Sequence, residues 1–277
     1  MFCPQCGTQN PDGNRFCQEC GGKLPDATAG AAPAATRNSD VIDYIIHGEE
    51  MQVVEIELDP GEAVQAEAGA FVYMSDGIEM ETSTGGGFMK GIKRMISGEG
   101  FFITSFSNQG SGRGYAAFTA PFPSQIIPID LASVGGTFLC QKDAFLCAAR
   151  GIEITAEFTK RIGAGFFGGE GFILQRLTGD GLVFLNAGGA IVQKELSQGE
   201  TLRVDTGCLV AFSPTVGYDI KFVGGFKNAL FGGEGVVHAV VTGPGVVYLQ
   251  SLPFSRLVDR ITSALPKKGG GFSSDDD

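Results

Sequence analysis

The chain has 277 residues, among them 43 glycines and 22 phenylalanines, and 43% of it is hydrophobic. That apolar content excludes disorder over most of its length, and so much glycine beside it marks short strands joined by tight turns. A formal charge of −11 repels phosphate backbones, so no nucleic-acid partner is expected.

No apolar run is long enough for a transmembrane segment, and Met1-Phe2-Cys3-Pro4 does not read as a signal peptide. A cytoplasmic protein is expected, with peripheral contact at a membrane surface as its one route to membrane association. In that compartment the seven cysteines read as metal ligands or free thiols.

Residues 1–24 read as a zinc ribbon. Cys3-Pro-Gln-Cys6-Gly7 and Cys17-Gln-Glu-Cys20-Gly21 supply two pairs of thiolates, the donor set that a tetrahedral zinc prefers. The glycine after each pair lets backbone N–H groups turn toward sulfur. Four free thiols or a redox pair is the other reading of this spacing. With Cys3, Cys6, Cys17 and Cys20 as ligands the coordination shell is full, so the zinc is expected to be structural. So short a segment would take its folding energy from the metal. Residues 25–39, small and proline-bearing, are expected to be a flexible linker.

Residues 40–265 read as a triplicated β domain. Gly98-Glu99-Gly100, Gly169-Glu170-Gly171 and Gly233-Glu234-Gly235 each open an apolar run, preceded by Gly77-Ile78-Glu79, Gly151-Ile152-Glu153 and Gly217-Tyr218-Asp219. Leu58-Asp-Pro-Gly61-Glu62 with Gly69-Ala-Phe-Val72 matches Leu196-Ser-Gln-Gly199-Glu200 with Gly207-Cys-Leu-Val210. A unit of roughly 65–75 residues therefore occurs three times. The expected fold is all-β: three tandem β-sandwich-like repeats around a pseudo-threefold axis, with a short C-terminal helix. Val54-Glu-Ile56-Glu-Leu58 alternates as a half-buried strand does, and Pro60-Gly61 is a tight turn. A hairpin is expected after each Gly-Glu-Gly, with Gly179-Asp-Gly181 and Gly243-Pro-Gly245 at the tips of two of them. Cys140, Cys147 and Cys208 lie in apolar context and read as small hydrophobes. Phe254, Leu257, Val258, Ile261 and Leu265 recur at helical spacing before Pro266. Residues 266–277, ending in three aspartates, are expected to be a disordered acidic tail.

The segments before each Gly-Glu-Gly mix bulky apolar residues with cations. They hold Phe88, Lys90, Lys93 and Arg94 in the first, Lys160, Arg161, Phe166 and Phe167 in the second, and Phe226, Lys227 and Phe231 in the third. Two readings stand: a patch for a partner or membrane surface, or aromatics plugging the core with cations in solvent. Glu99, Glu170 and Glu234 could form an acid cluster holding a cation, or each could accept backbone N–H groups at its own turn.

Little here suggests catalysis. The two histidines, His47 and His238, lack metal spacing, and neither a phosphate-binding loop nor a nucleophile elbow appears. A non-catalytic protein is expected.

Residues 41–265 resemble the family named for altered inheritance of mitochondria. The matching residues are Pro60-Gly61-Glu62, Gly69-Ala70-Phe71-Val72, Gln141-Lys142-Asp143-Ala144-Phe145-Leu146, Gly151-Ile152-Glu153 and Gly165-Phe166-Phe167-Gly168-Gly169-Glu170-Gly171. The resemblance implies a fold similar to the tryptophan RNA-binding attenuation protein, a β-sandwich unit used in triplicate. It does not carry RNA or tryptophan binding with it. The zinc ribbon is an addition to that pattern. The expected role is a scaffold or adaptor that assembles with itself, a protein partner or a membrane surface. The alternative is a small-molecule or metal-ion binding protein with its site among the repeats.

Overall fold

A computed structural model of the chain describes residues 37–83, 103–158, 173–222 and 237–265. The chain divides into two compact units, Met1–Arg37 and Asn38–Asp277.

Among its described residues the second unit is built mostly of strands, and their order recurs. An extra strand, β1 (Asp43–His47), comes first. Then follow β2 (Val53–Leu58), β3 (Ala63–Glu67), β4 (Phe71–Met74), β5 (Ile78–Ser83), β6 (Ile103–Asn108) and β7 (Gly114–Phe118). The second set is β8 (Ser124–Asp130), β9 (Thr137–Gln141), β10 (Phe145–Ala149), β11 (Glu153–Phe158), β12 (Ile173–Thr178) and β13 (Leu182–Gly188). The third is β14 (Ile191–Leu196), β15 (Thr201–Asp205), β16 (Leu209–Phe212), β17 (Gly217–Phe222), β18 (Val237–Thr242) and β19 (Gly245–Gln250). Helix α1 (Phe254–Ala264) follows. In each set the fifth strand lies between the second and fourth, and the sixth lies between the first and third.

All these ladders are antiparallel, and two of them join the sets. β10 pairs with β3, and β16 pairs with β9. This gives two six-stranded sheets, β5-β6-β3-β10-β13-β8 and β11-β12-β9-β16-β19-β14. The remaining strands form two smaller sheets, β1-β2-β7-β4 and β15-β18-β17. No ladder joins β4 to β15.

Three apolar cores separate the four sheets. The first holds Ile56, Phe106, Phe118 and Phe184. The second holds Phe138, Phe145, Val183 and Leu185. The third holds Leu139, Leu209, Phe212 and Val241. Each six-stranded sheet thus feeds two cores. In β13, Phe184 enters the first while Val183 and Leu185 enter the second. A strand buried on both faces cannot alternate, and β10, Phe-Leu-Cys-Ala-Ala, is buried at every residue. β2 lies in an outer sheet and keeps its alternation.

The internal echoes of the sequence become shared geometry. Gly61 and Gly199 hold positive φ, +90° and +76°, a region that glycine enters without a Cβ penalty. At each of these turns a glutamate reaches back. The Asp59 N–H donates to Glu62 Oε2 (2.8 Å), and the Ser197 N–H donates to Glu200 Oε2 (2.9 Å). β4, β10 and β16 each break register against their neighbour at one residue, Val72, Leu146 and Val210, the signature of a β-bulge.

The expected hairpin tips are different. β12 and β13, on either side of Gly179-Asp180-Gly181, do not pair, and neither do β18 and β19 beside Gly243-Pro244-Gly245. These turns carry the chain from one sheet to the next. A turn motif records a reversal of direction but not the sheet that receives the following strand. The hairpins form instead between β5 and β6, β11 and β12, and β17 and β18.

Residues 38–40 are pinned to the β domain. The Asn38 and Ser39 N–H groups donate to the Asp180 carboxylate (2.7 and 2.9 Å). These bonds, led by that from Asn38, lower the Asp180 pKa below its usual value. Asp40 accepts from the Ala63 N–H (2.7 Å) and pairs with Arg150 (3.0 Å).

Candidate interaction edge

The site residues expected from the sequence lie outside the described residues. These are the cysteines Cys3, Cys6, Cys17 and Cys20, the glutamates Glu99, Glu170 and Glu234, and all eleven aromatic and basic loop residues. The loop residues and glutamates fall in the three connections between the paired strands of the hairpins.

Among the described residues, β4 departs most from its counterparts. β10 and β16 are interior strands and wholly buried. β4 is the outermost strand of its sheet, with Phe71 41%, Val72 42%, Tyr73 40% and Met74 37% exposed. Its inner edge is well tied. It pairs with β7, Phe71 stacks on Phe106 (5.4 Å), and the Tyr73 hydroxyl donates to Glu55 (2.7 Å). Tyr115 of β7 packs edge-on against Tyr73 (6.1 Å). The other edge of β4 offers backbone donors and acceptors beside four apolar side chains, a combination that invites another strand.

β15 is the matching exception. Its counterparts β3 and β9 are interior, whereas β15 is an edge strand that exposes Thr201 and Arg203. At its far end Asp205 accepts from Arg256 of α1 (2.8 Å). The helix buries no residue, although Phe254 packs on Phe122 (5.1 Å).

Among the described residues, the buried thiols offer little for nucleophilic chemistry. Cys140 and Cys147 are buried free thiols whose pKa values burial raises, which keeps them protonated and inert. Cys208 is half-buried and also raised, chiefly by burial. His47 is exposed on β1, 3.9 Å from Glu55. His238 lies mid-sheet on β18, opposite Asp205 and Lys221. Glu67, at the end of β3, has its pKa pushed up to about 7, first by burial and then by the Asp143 carboxylate, against the opposing pull of Lys142.

In the sequence, Phe71 and Val72 stand only as part of a repeated motif. All three copies are apolar there, so no signal in the sequence marks the one whose partner is missing. Only the ladders do.

The sequence profile of the family described as Mitochondrial biogenesis AIM24 matches residues 44–252. The chain belongs to the AIM24 family. A zinc-ribbon domain profile matches residues 2–24. That segment's two Cys-x-x-Cys pairs suit zinc in donor type and number. An uncharacterised protein of Streptococcus pyogenes serotype M6 is 30% identical over 222 residues, 77% of this chain and 87% of that one. A crystal structure of a Streptococcus pyogenes protein superposes with a TM-score of 0.67 at 27% identity, over 81% of this chain and all of that one. The resemblance read from Gly69-Ala70-Phe71-Val72 and its companions is therefore a true relationship. No helix among the described residues is long and apolar enough to cross a membrane.

Proposed function

We propose that this AIM24-family chain is a non-catalytic scaffold whose β domain accepts a protein strand on an open sheet edge. The observation that carries this reading is β4. Four consecutive apolar residues stand exposed at a position that is interior and buried in both other sets. Strand addition satisfies the backbone of such an edge and covers its side chains together. The zinc ribbon travels with this domain as a separate module. Its four thiolates would hold a structural zinc and leave no open coordination position for chemistry.

Hydrogen exchange on the full-length protein tests the reading. The amides of Phe71–Met74 that point away from β7 should exchange quickly in dilute isolated protein and slowly in the assembled form purified gently from the native cell. Fast exchange of these amides in every form recovered would overturn the scaffold reading.

A further inference from the structure

The occupant of the β4 edge can be named from the two junctions already made. In β10 the residue after the bulge, Cys147, faces Ala66 of β3, and Ala148 faces Gln65. In β16 the residue after the bulge, Ala211, faces Cys140 of β9, and Phe212 faces Leu139. Ala66 and Cys140 are each the fourth residue of their strand. Both junctions therefore use one register. β4 carries the same bulge, followed by Tyr73 and Met74. β15 carries Val204 as its fourth residue and Arg203 as its third.

β4 thus lacks a partner of the β15 type, and β15 lacks a partner of the β4 type. Neither finds the other through a ladder within one chain. We propose that β15 of a second copy adds antiparallel to β4, with Tyr73 facing Val204 and Met74 facing Arg203. This rests on the scaffold reading and names its partner. The contact continues a junction that the fold makes twice, so it needs no new geometry. It joins a smaller sheet of one copy to a smaller sheet of the next, as the six-stranded sheets join neighbouring sets. The contact is head-to-tail: each copy presents one edge of each type, and the assembly closes as a ring or extends as a filament according to the rotation per copy.

The register gives the test. Met74→Lys sets a cation opposite Arg203, and like charges directly opposite each other weaken a strand pair. Sedimentation of the full chain should show self-association weakened roughly two- to five-fold by Met74→Lys and restored when Arg203→Glu is added. The melting temperature of each variant, taken at a concentration where the protein is monomeric, reports on folding separately. A second arm mixes Tyr73→Cys chains with Val204→Cys chains under mild oxidation. A cross-linked dimer is expected only in the mixture. A bond formed within one doubly substituted chain, without dimer, would mean that the same chain closes its own seam, and the second-copy proposal falls. A wild-type chain that stays monomeric at its solubility limit overturns it too. If the β4 amides are nevertheless protected in the cellular complex, the scaffold reading stands with a different partner. If they are not, both fall.

Discussion

Glu67 is a residue whose environment the sequence hides. Its raised pKa depends on burial and on Asp143 and Lys142, which belong to the next set of strands. In the unfolded chain the carboxyl titrates near its ordinary value of 4.5, and in the folded chain near 7. The fold therefore holds the proton more tightly than the open chain does. The resulting stability is fully present below pH 4.5 and is lost as pH rises through about 7, a change on the order of 3 kcal/mol. Denaturant melts across that window should show wild type weakening as pH rises. Glu67→Gln should flatten the dependence and be the more stable protein above pH 7. The cysteines make the contrast. Cys140 and Cys147 are buried as their apolar neighbours in sequence indicate, because burial of a small hydrophobe follows from local composition. The titration of Glu67 follows from contacts across the fold.

At the scale of elements, the bulges at Val72 and Leu146 sit at equivalent places with opposite surroundings. Leu146 is 1% exposed and belongs to the first core, whereas Val72 lies on the open edge. The same substitution should therefore give opposite results. Leu146→Lys buries an unpaired charge and should cost more than about 3 kcal/mol, enough to threaten folding. Val72→Lys should stay within about 0.5 kcal/mol in thermal denaturation of the monomer, while lowering self-association. The strands themselves were legible wherever one face meets water. The alternation of Val54–Leu58 is that of β2. The turn at Pro60-Gly61 was legible as a turn, and Gly199 stands in the segment that echoes it. The sheet that receives the strand after a turn was not legible. Nothing local in Gly179-Asp180-Gly181 says that β13 leaves the sheet of β12 to pair with β10 and β8.

For the whole molecule, self-similarity made three sets of strands readable, but self-similarity is silent about ends. The candidate edge arises at the outer sheets: among the described residues, no strand pairs with the outer edge of β4 or with that of β15. The same asymmetry predicts how stability is distributed. The two six-stranded sheets are held by cores on both faces, and the outer sheets by one core each. Amide exchange should therefore be slowest in β9, β10, β13 and β16, whose opening exposes two cores at once. It should be fastest in β1, β4, β15 and β17, which have a single ladder each at the rims of the outer sheets. Phe138→Ala, in the middle core, should cost about 3–5 kcal/mol and accelerate exchange in both large sheets together, since each of them lines that core. Exchange that quickened only in the sheet of β9, leaving β10 and β13 as slow as in wild type, would show that the cores open independently and that the shared sheets do not couple them.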